Sequence, residues 1–168
     1  MDNLVTERLV LHPMSVAEAE QTVTAAATVE PDADVRWEQG YPTEGDVTVA
    51  RRFLERCAST GDPQSFGPYV IRRRSDHRAI GGMGFHLPPD EHGSVTIGYG
   101  LVPAARGKGY ASEALRALLS LARDQGVTSV KGDADHANTA SQHVMTAAGM
   151  RQTGEDERVK YYAISWRP

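Results

Sequence analysis

Arg106-Gly107-Lys108-Gly109-Tyr110-Ala111-Ser112 sets two glycines and two cations between an alternating apolar segment and an amphipathic one. Glycine lets the main chain turn tightly and lets a ligand approach without meeting a β-carbon. The opening amides of the helix that follows lack internal acceptors and point at whatever lies beyond its N-terminus. The helix dipole adds roughly half a positive charge there. A phosphate or diphosphate is the expected guest, and Arg106 and Lys108 add charge of the right sign. Two common phosphate loops do not fit. A Walker A loop needs Gly, four residues, then Gly-Lys-Ser/Thr; Val102 stands where the first Gly belongs, and Gly109 follows Lys108. A dinucleotide fingerprint needs Gly-x-Gly-x-x-Gly; Gly107-Lys108-Gly109-Tyr110-Ala111-Ser112 lacks the last glycine.

Other polar groups carry weaker signals. Asn138 stands before Thr139-Ala140-Ser141, where it suits a helix N-cap. Asp133, Asp135 and His136 follow a short strand and are candidates to take a proton through water. Trp37, Glu38 and Tyr41 share a loop. Gly81-Gly82-x-Gly84 lies in a strand, where glycines mark a bulge or the close approach of another chain or a ligand. Arg72, Arg73, Arg74 and Arg78 flank a turn and read as a solvated hairpin tip. The one cysteine, Cys57, shares a helical face with Val49 and Phe53, which predicts a buried thiol. No pair among six histidines has zinc-ligand spacing, so no metal is expected.

The elements that must position these groups follow from periodicity. Leu4–Leu11 predicts a first strand. Ser15-Val16-Ala17-Glu18 has the form of a capping box, with Val16, Ala19, Val23 and Ala26 following at helical spacing. Residues 31–42 form an acidic, aromatic loop, and a second helix starts near Thr43. Phe66–Arg73 and Ala79–His86 predict a hairpin. Val95, Ile97, Tyr99 and Leu101 alternate as a strand, and Ala111–Gln125 carries a stripe of Ala111, Ala114, Leu115, Leu118 and Ala122. A strand at Ser129–Ala134, a helix at Thr139–Ala148 and two closing strands, Met150–Glu157 and Arg158–Trp166, complete the order. The reading is α/β (α+β): one domain over residues 1–168, with a mixed sheet of about seven strands and four main helices.

Composition bounds the function. The chain has 168 residues, 40% hydrophobic and 24% charged, an ordinary globular balance. A net charge of -4 argues against nucleic acid as the main partner. A single cysteine fits a reducing compartment. Neither a secretory leader nor an apolar run of bilayer-spanning length is present, so a cytoplasmic location with no membrane partner is expected.

Arg106-Gly107-Lys108-Gly109-Tyr110-Ala111 resembles the Arg/Gln-x-x-Gly-x-Gly/Ala element of the GNAT N-acetyltransferases. Ile97-Gly98-Tyr99 before it and Ser112-Glu113-Ala114-Leu115 after it are similar to the branch containing the RimJ and RimL ribosomal-protein acetyltransferases. So are Thr6-Glu7-Arg8-Leu9-Val10-Leu11, Asn138-Thr139-Ala140-Ser141 and Gly149-Met150. The resemblance runs from residue 6 to about 150.

It implies acetyl-CoA as co-substrate, with its diphosphate bound by Arg106, Gly107, Lys108, Gly109, Tyr110, Ala111 and Ser112. A splayed strand pair, ending near Leu101 and starting near Ser129, holds pantetheine against the backbone of Leu101 and Val102. The acetyl group passes directly to a primary amine, either a protein N-terminus or a small molecule, and relatives are often homodimers. Ser141 is implied as the hydroxyl that protonates the leaving thiolate, and Asn138 as a cofactor contact. A thiol titrates near 8.5, so a weak hydroxyl acid suffices; an α-amine near 7.7–8.0 needs little help from a base, and a lysine amine near 10.4 needs more. Many relatives carry Glu where this chain has Thr96. That departure leaves the base open and motivates an alternative, a CoA-binding sensor or interaction module without turnover.

Overall fold

A computed structural model of the chain describes residues 2–25 and 36–166. Ala26 and residues 31–35, expected in the first helix and the acidic loop, lie outside them. The branched stretch at the start, expected as one strand, is two: β1 (Leu4–Val5) and β2 (Leu9–Pro13) fold back antiparallel, Leu4 opposite Leu11. The Thr6 amide closes the turn on the Leu9 carbonyl, and Arg74 Nη1 donates to the carbonyls of Thr6 and Glu7. The sheet therefore has eight strands rather than seven.

The first helix, α1 (Val16–Ala25), opens with the expected capping box: Ser15 and Glu18 exchange side-chain and amide hydrogen bonds of 3.1 Å. The second, α2 (Glu44–Thr60), opens with another, between Thr43 and Asp46. The hairpin is β3 (Pro68–Arg73) and β4 (Ala79–Phe85). It is followed by β5 (Ser94–Leu101), α3 (Tyr110–Asp124), β6 (Ser129–Asp135), α4 (Thr139–Ala147), β7 (Arg151–Glu155) and β8 (Val159–Ser165). Strand order across the open sheet is β1-β2-β3-β4-β5-β6-β8-β7. The helix α3 packs on β2, β4 and β5, and its stripe of Ala114, Leu115, Leu118 and Ala122 is fully buried. Burying a leucine contributes about 2 kcal/mol, so this stripe fixes α3, and with it the loop at its head, to the sheet.

The arginines of the hairpin are not the solvated tip expected. Arg73 pairs with Glu38 and Asp76, and Arg72 donates to the carbonyls of Arg36 and His77. They brace the aromatic loop on β3 and β4. Among the strand glycines, Gly81 and Gly84 answer to packing. A β-carbon at Gly81 would sit 2.2 Å from the Gly100 carbonyl oxygen, and one at Gly84 2.6 Å from Pro68 Cα. Both obstacles are main chain and cannot swing aside. Gly81→Ala should therefore cost about 2–3 kcal/mol, read as a lower midpoint in urea unfolding. An unchanged midpoint would contradict the close approach.

Candidate active site

The decisive local geometry is a sheet that comes apart. The parallel pair β5–β6 is joined only from Ser94–Ser129 to Thr96–Lys131. Beyond that point each strand keeps its outer neighbour only, β4 for β5 and β8 for β6. The Val102 amide donates to Ile80 O and the His86 amide to Thr96 O, which fixes the parity of β5. Alternate residues face alternate neighbours, so Tyr99 and Leu101 turn their main-chain groups away from β4 and into the gap. On β6, Trp166 N to Thr128 O and His136 N to Arg158 O set the same parity, and Asp133 faces the gap. Two half-paired strand edges thus line one cleft.

Arg106 to Ser112 lie at the mouth of that cleft. Gly107 and Gly109 have φ of +78° and +83°, the left-handed region that glycine enters without strain. Gly109 is the N-cap of α3 and brings no side chain to its amides. The Arg106 amide donates to Pro103 O, and the next amide to donate is that of Glu113, to Gly109 O. Among the described residues, the six amides from Gly107 to Ser112 have no acceptor. A β-carbon at Gly107 would meet nothing within 4 Å. Main-chain donors in such a run form a concave anion site, at the positive end of the helix. Arg106 and Lys108 are exposed beside it, with Arg106 Nε 3.1 Å from Leu101 O.

A contact that spacing alone does not reveal holds this loop in place. Arg8, in the turn between β1 and β2, donates from Nη1 to Lys108 O at 2.8 Å and lies 4.6 Å from the centre of the Tyr110 ring. Its Nε and amide donate to Glu113, as does the Thr6 hydroxyl. Glu113 is therefore structural. Burial pushes its carboxyl up, but the hydrogen bonds from Thr6 and Arg8 outweigh that and hold it below the usual glutamate range. A depressed folded value means stability that is present above the unfolded pKa, near 4.3, and lost as pH falls through the folded one. With Arg8 two-fifths exposed, the loss is about 1 kcal/mol. The protection factors of the Thr6 and Arg8 amides should fall as the pH drops below about 4 in the native chain; in Glu113→Gln they should be low throughout.

Across the cleft, Asn138 caps α4: its Oδ1 accepts from the Ser141 amide at 3.0 Å. The Ser141 hydroxyl lies 2.8 Å from the Tyr99 hydroxyl, and the Tyr99 hydroxyl lies within donating distance, 3.1 Å, of Ser141 O. The pair bridges β5 and α4. Burial pushes the Tyr99 phenol up more than Ser141 pulls it down, so it stays protonated. The sequence offered Tyr99 as one residue of an alternating strand and as part of the Ile97-Gly98-Tyr99 resemblance; neither marks its hydroxyl.

The remaining candidates are dispersed. Leu101 is buried at the cleft wall. Val102 is fully buried, with its amide on Ile80 and its carbonyl accepting from Ala105, so neither group is left for a ligand. His136 Nε2 is turned to Asp156 O at 2.7 Å, and the side chains of Asp133 and Asp135 are exposed. Glu38 is committed to Arg73; the Gln39 amide and Arg73 hold its carboxyl below the usual range. Trp37 packs edge-on against Tyr41, 5.5 Å between centres. Cys57 is half-buried against the core, and burial raises its thiol. Thr96 belongs to the last pair before β5 and β6 part.

On the α2 side of the sheet lies a cavity of about 400 Å³, between that helix and the middle of β4 and β5. Gly82 stands opposite Gly100, and Gly84 opposite Gly98, so its floor is bare main chain. The cavity reaches Tyr99, the strand that also borders the cleft.

The model of the acetyltransferase (GNAT) domain matches residues 8–151. The chain belongs to this family. It is 26% identical over 132 residues to the uncharacterized N-acetyltransferase YjdG of Bacillus subtilis (strain 168), covering 74% of this chain and 79% of that protein. The GNAT fold is shared with the ribosomal-protein-S5-alanine acetyltransferase of Vibrio fischeri (15% identical, TM-score 0.71, all of both chains covered). It is shared too with RimL, a ribosomal L7/L12 α-N-protein acetyltransferase solved with coenzyme A (17% identical, TM-score 0.68, 98% of each chain). This GNAT protein is thus an acetyltransferase with acetyl-CoA as its co-substrate. Among the described residues no group of side chains could hold a metal, and no helix is long and apolar enough to cross a membrane.

Proposed function

We propose that residues 1–168 form one N-acetyltransferase unit that moves acetyl from acetyl-CoA to a primary amine, in a cytoplasmic setting. The observation that carries the reading is the run of six unpaired amides at Gly107–Ser112, opening directly onto the cleft between β5 and β6. These amides would hold the diphosphate, with Arg106 and Lys108 adding charge from its rim. The main chain of Tyr99 and the amide of Leu101 would align the pantetheine arm, because they face the cleft, while the Leu101 carbonyl accepts from Arg106 Nε. Asn138 has its Nδ2 free to donate while its Oδ1 caps α4.

The amine nitrogen attacks the thioester carbonyl, the C–S bond breaks, and the thiolate takes a proton from the Ser141 hydroxyl. Tyr99 can return a proton to Ser141, since the two hydroxyls are already hydrogen-bonded, and the proton shed by the nitrogen restores the pair through water. The test is release of free thiol from acetyl-CoA across small primary amines and peptides with free N-termini, beside calorimetric titration with coenzyme A. Tight binding with amine-dependent release is expected. Binding with no release for any amine would instead support a sensor without turnover, and absence of binding would overturn the site.

A further inference from the structure

The cavity under α2 carries one polar feature that packing does not explain. Asp46 is 9% exposed and stands at the head of α2, with its carboxylate over the glycine floor. Its Oδ2 accepts from both the amide and the hydroxyl of Thr43, at 2.9 Å each. Its Oδ1 has no hydrogen-bond partner among the described residues and is not sealed off, since no buried side-chain oxygen there lacks a partner. A β-carbon at Gly82 would lie 3.2 Å from this oxygen. One oxygen caps the helix, and the other presents a lone acceptor to the cavity. A nearly buried carboxylate oxygen without a donor is costly, and a cation in front of it removes that cost.

Resting on the proposed transfer to an amine, we propose that this cavity is the acceptor pocket and that Asp46 Oδ1 receives the acceptor's ammonium group. It fits a small primary amine with an apolar body. Val49 and Phe53 follow Asp46 on α2 and give the cavity its apolar side, with Arg52, Glu55 and Arg56 towards the far end of the same helix. The helix advances about 9 Å over the six residues from Asp46 to Arg52. That length and the cavity's volume match an alkylamine of five or six carbons or an arylalkylamine, rather than a folded protein's terminus. The bare floor at Gly82, Gly84, Gly98 and Gly100 lets the carbon frame lie flat on the sheet, one strand from the cleft. Burial pushes the Asp46 carboxyl up more than the Thr43 hydrogen bonds pull it down, and a cation in front of Oδ1 would favour the carboxylate. In the reaction the ammonium gives one proton to Asp46 Oδ1. The freed nitrogen bonds to the acetyl carbon, the C–S bond breaks as the thiolate takes the Ser141 proton, and the nitrogen's second proton passes to water, which restores the Tyr99–Ser141 pair.

The experiment is steady-state acetylation of a panel of alkyl- and arylalkylamines and of peptides, with binding of phenethylamine and of uncharged 2-phenylethanol by calorimetry. Phenethylamine should bind and its alcohol should not. Asp46→Asn keeps an oxygen for the Thr43 cap, which circular dichroism checks. It should raise KM for the amine at least 30-fold and leave KM for acetyl-CoA within twofold. Gly100→Leu is a second variant independent of the cap, since a β-carbon there meets nothing within 4 Å; it should fill the pocket and remove amine binding from a folded protein. Equal affinity for amine and alcohol would overturn the assignment. So would unchanged amine KM in Asp46→Asn, or turnover of peptides alone. Because acetyl-CoA binding is measured separately, its loss in the native protein would instead count against the diphosphate site.

Discussion

Gly109→Val removes coenzyme A binding from a protein that still folds. The substitution acts twice. At φ of +83° a branched residue pays about 1–2 kcal/mol in the left-handed region, so the chain relaxes toward ordinary φ and the amides of Tyr110 and Ala111 swing out of line. Its β-carbon also lies 3.3 Å from Arg8 Nη2, pressing on the arginine that anchors the Lys108 carbonyl. The core stripe of α3 is untouched, so the thermal midpoint should fall by only a few degrees. The dissociation constant should rise at least about 100-fold, near 2.7 kcal/mol. Affinity within threefold of the native protein, measured by calorimetry, would show that the diphosphate binds elsewhere.

The second large effect is on turnover. Ser141→Ala removes the hydroxyl placed to protonate the thiolate, and kcat should fall about 100-fold. Tyr99→Phe keeps Ser141 but removes its partner, so the serine hydroxyl loses both its orientation and its resupply of protons; kcat should fall about 10-fold. Neither change touches Gly107–Ser112, and KM for acetyl-CoA should stay within about twofold. The double variant should be little worse than Ser141→Ala alone, because the two hydroxyls act as a unit. Full additivity would mean that Tyr99 serves the reaction by another route.

The parts of this site that are local in the chain were readable before any coordinates. Gly107 and Gly109 before an apolar stripe fixed where a helix must begin and what its amides must want. Ser15 with Glu18, and the alternation of Val95, Ile97, Tyr99 and Leu101, are patterns whose cause lies within a few residues. What escaped is what depends on distant partners. The first strand splits because the Thr6–Arg8 turn is fastened to Glu113, more than a hundred positions away. The Tyr99 hydroxyl gains its meaning from Ser141, 42 residues on. Asp46 falls three residues past the expected helix start at Thr43, and the fold makes it part of the cap; only the fold shows that its second oxygen opens onto a cavity. The arginines of the β3–β4 hairpin read as a charged tip because Arg72 and Arg74 go to main-chain carbonyls and Arg73 goes to Glu38, 35 residues away.

The most direct measurement is the amide spectrum of the labelled protein titrated with coenzyme A. The amides of Gly107 to Ser112 should shift downfield together and become slow to exchange, as free donors acquire anionic acceptors, with smaller shifts at Tyr99 and Leu101. If those six signals stay where they are while others move at saturation, the diphosphate is not held by the head of α3.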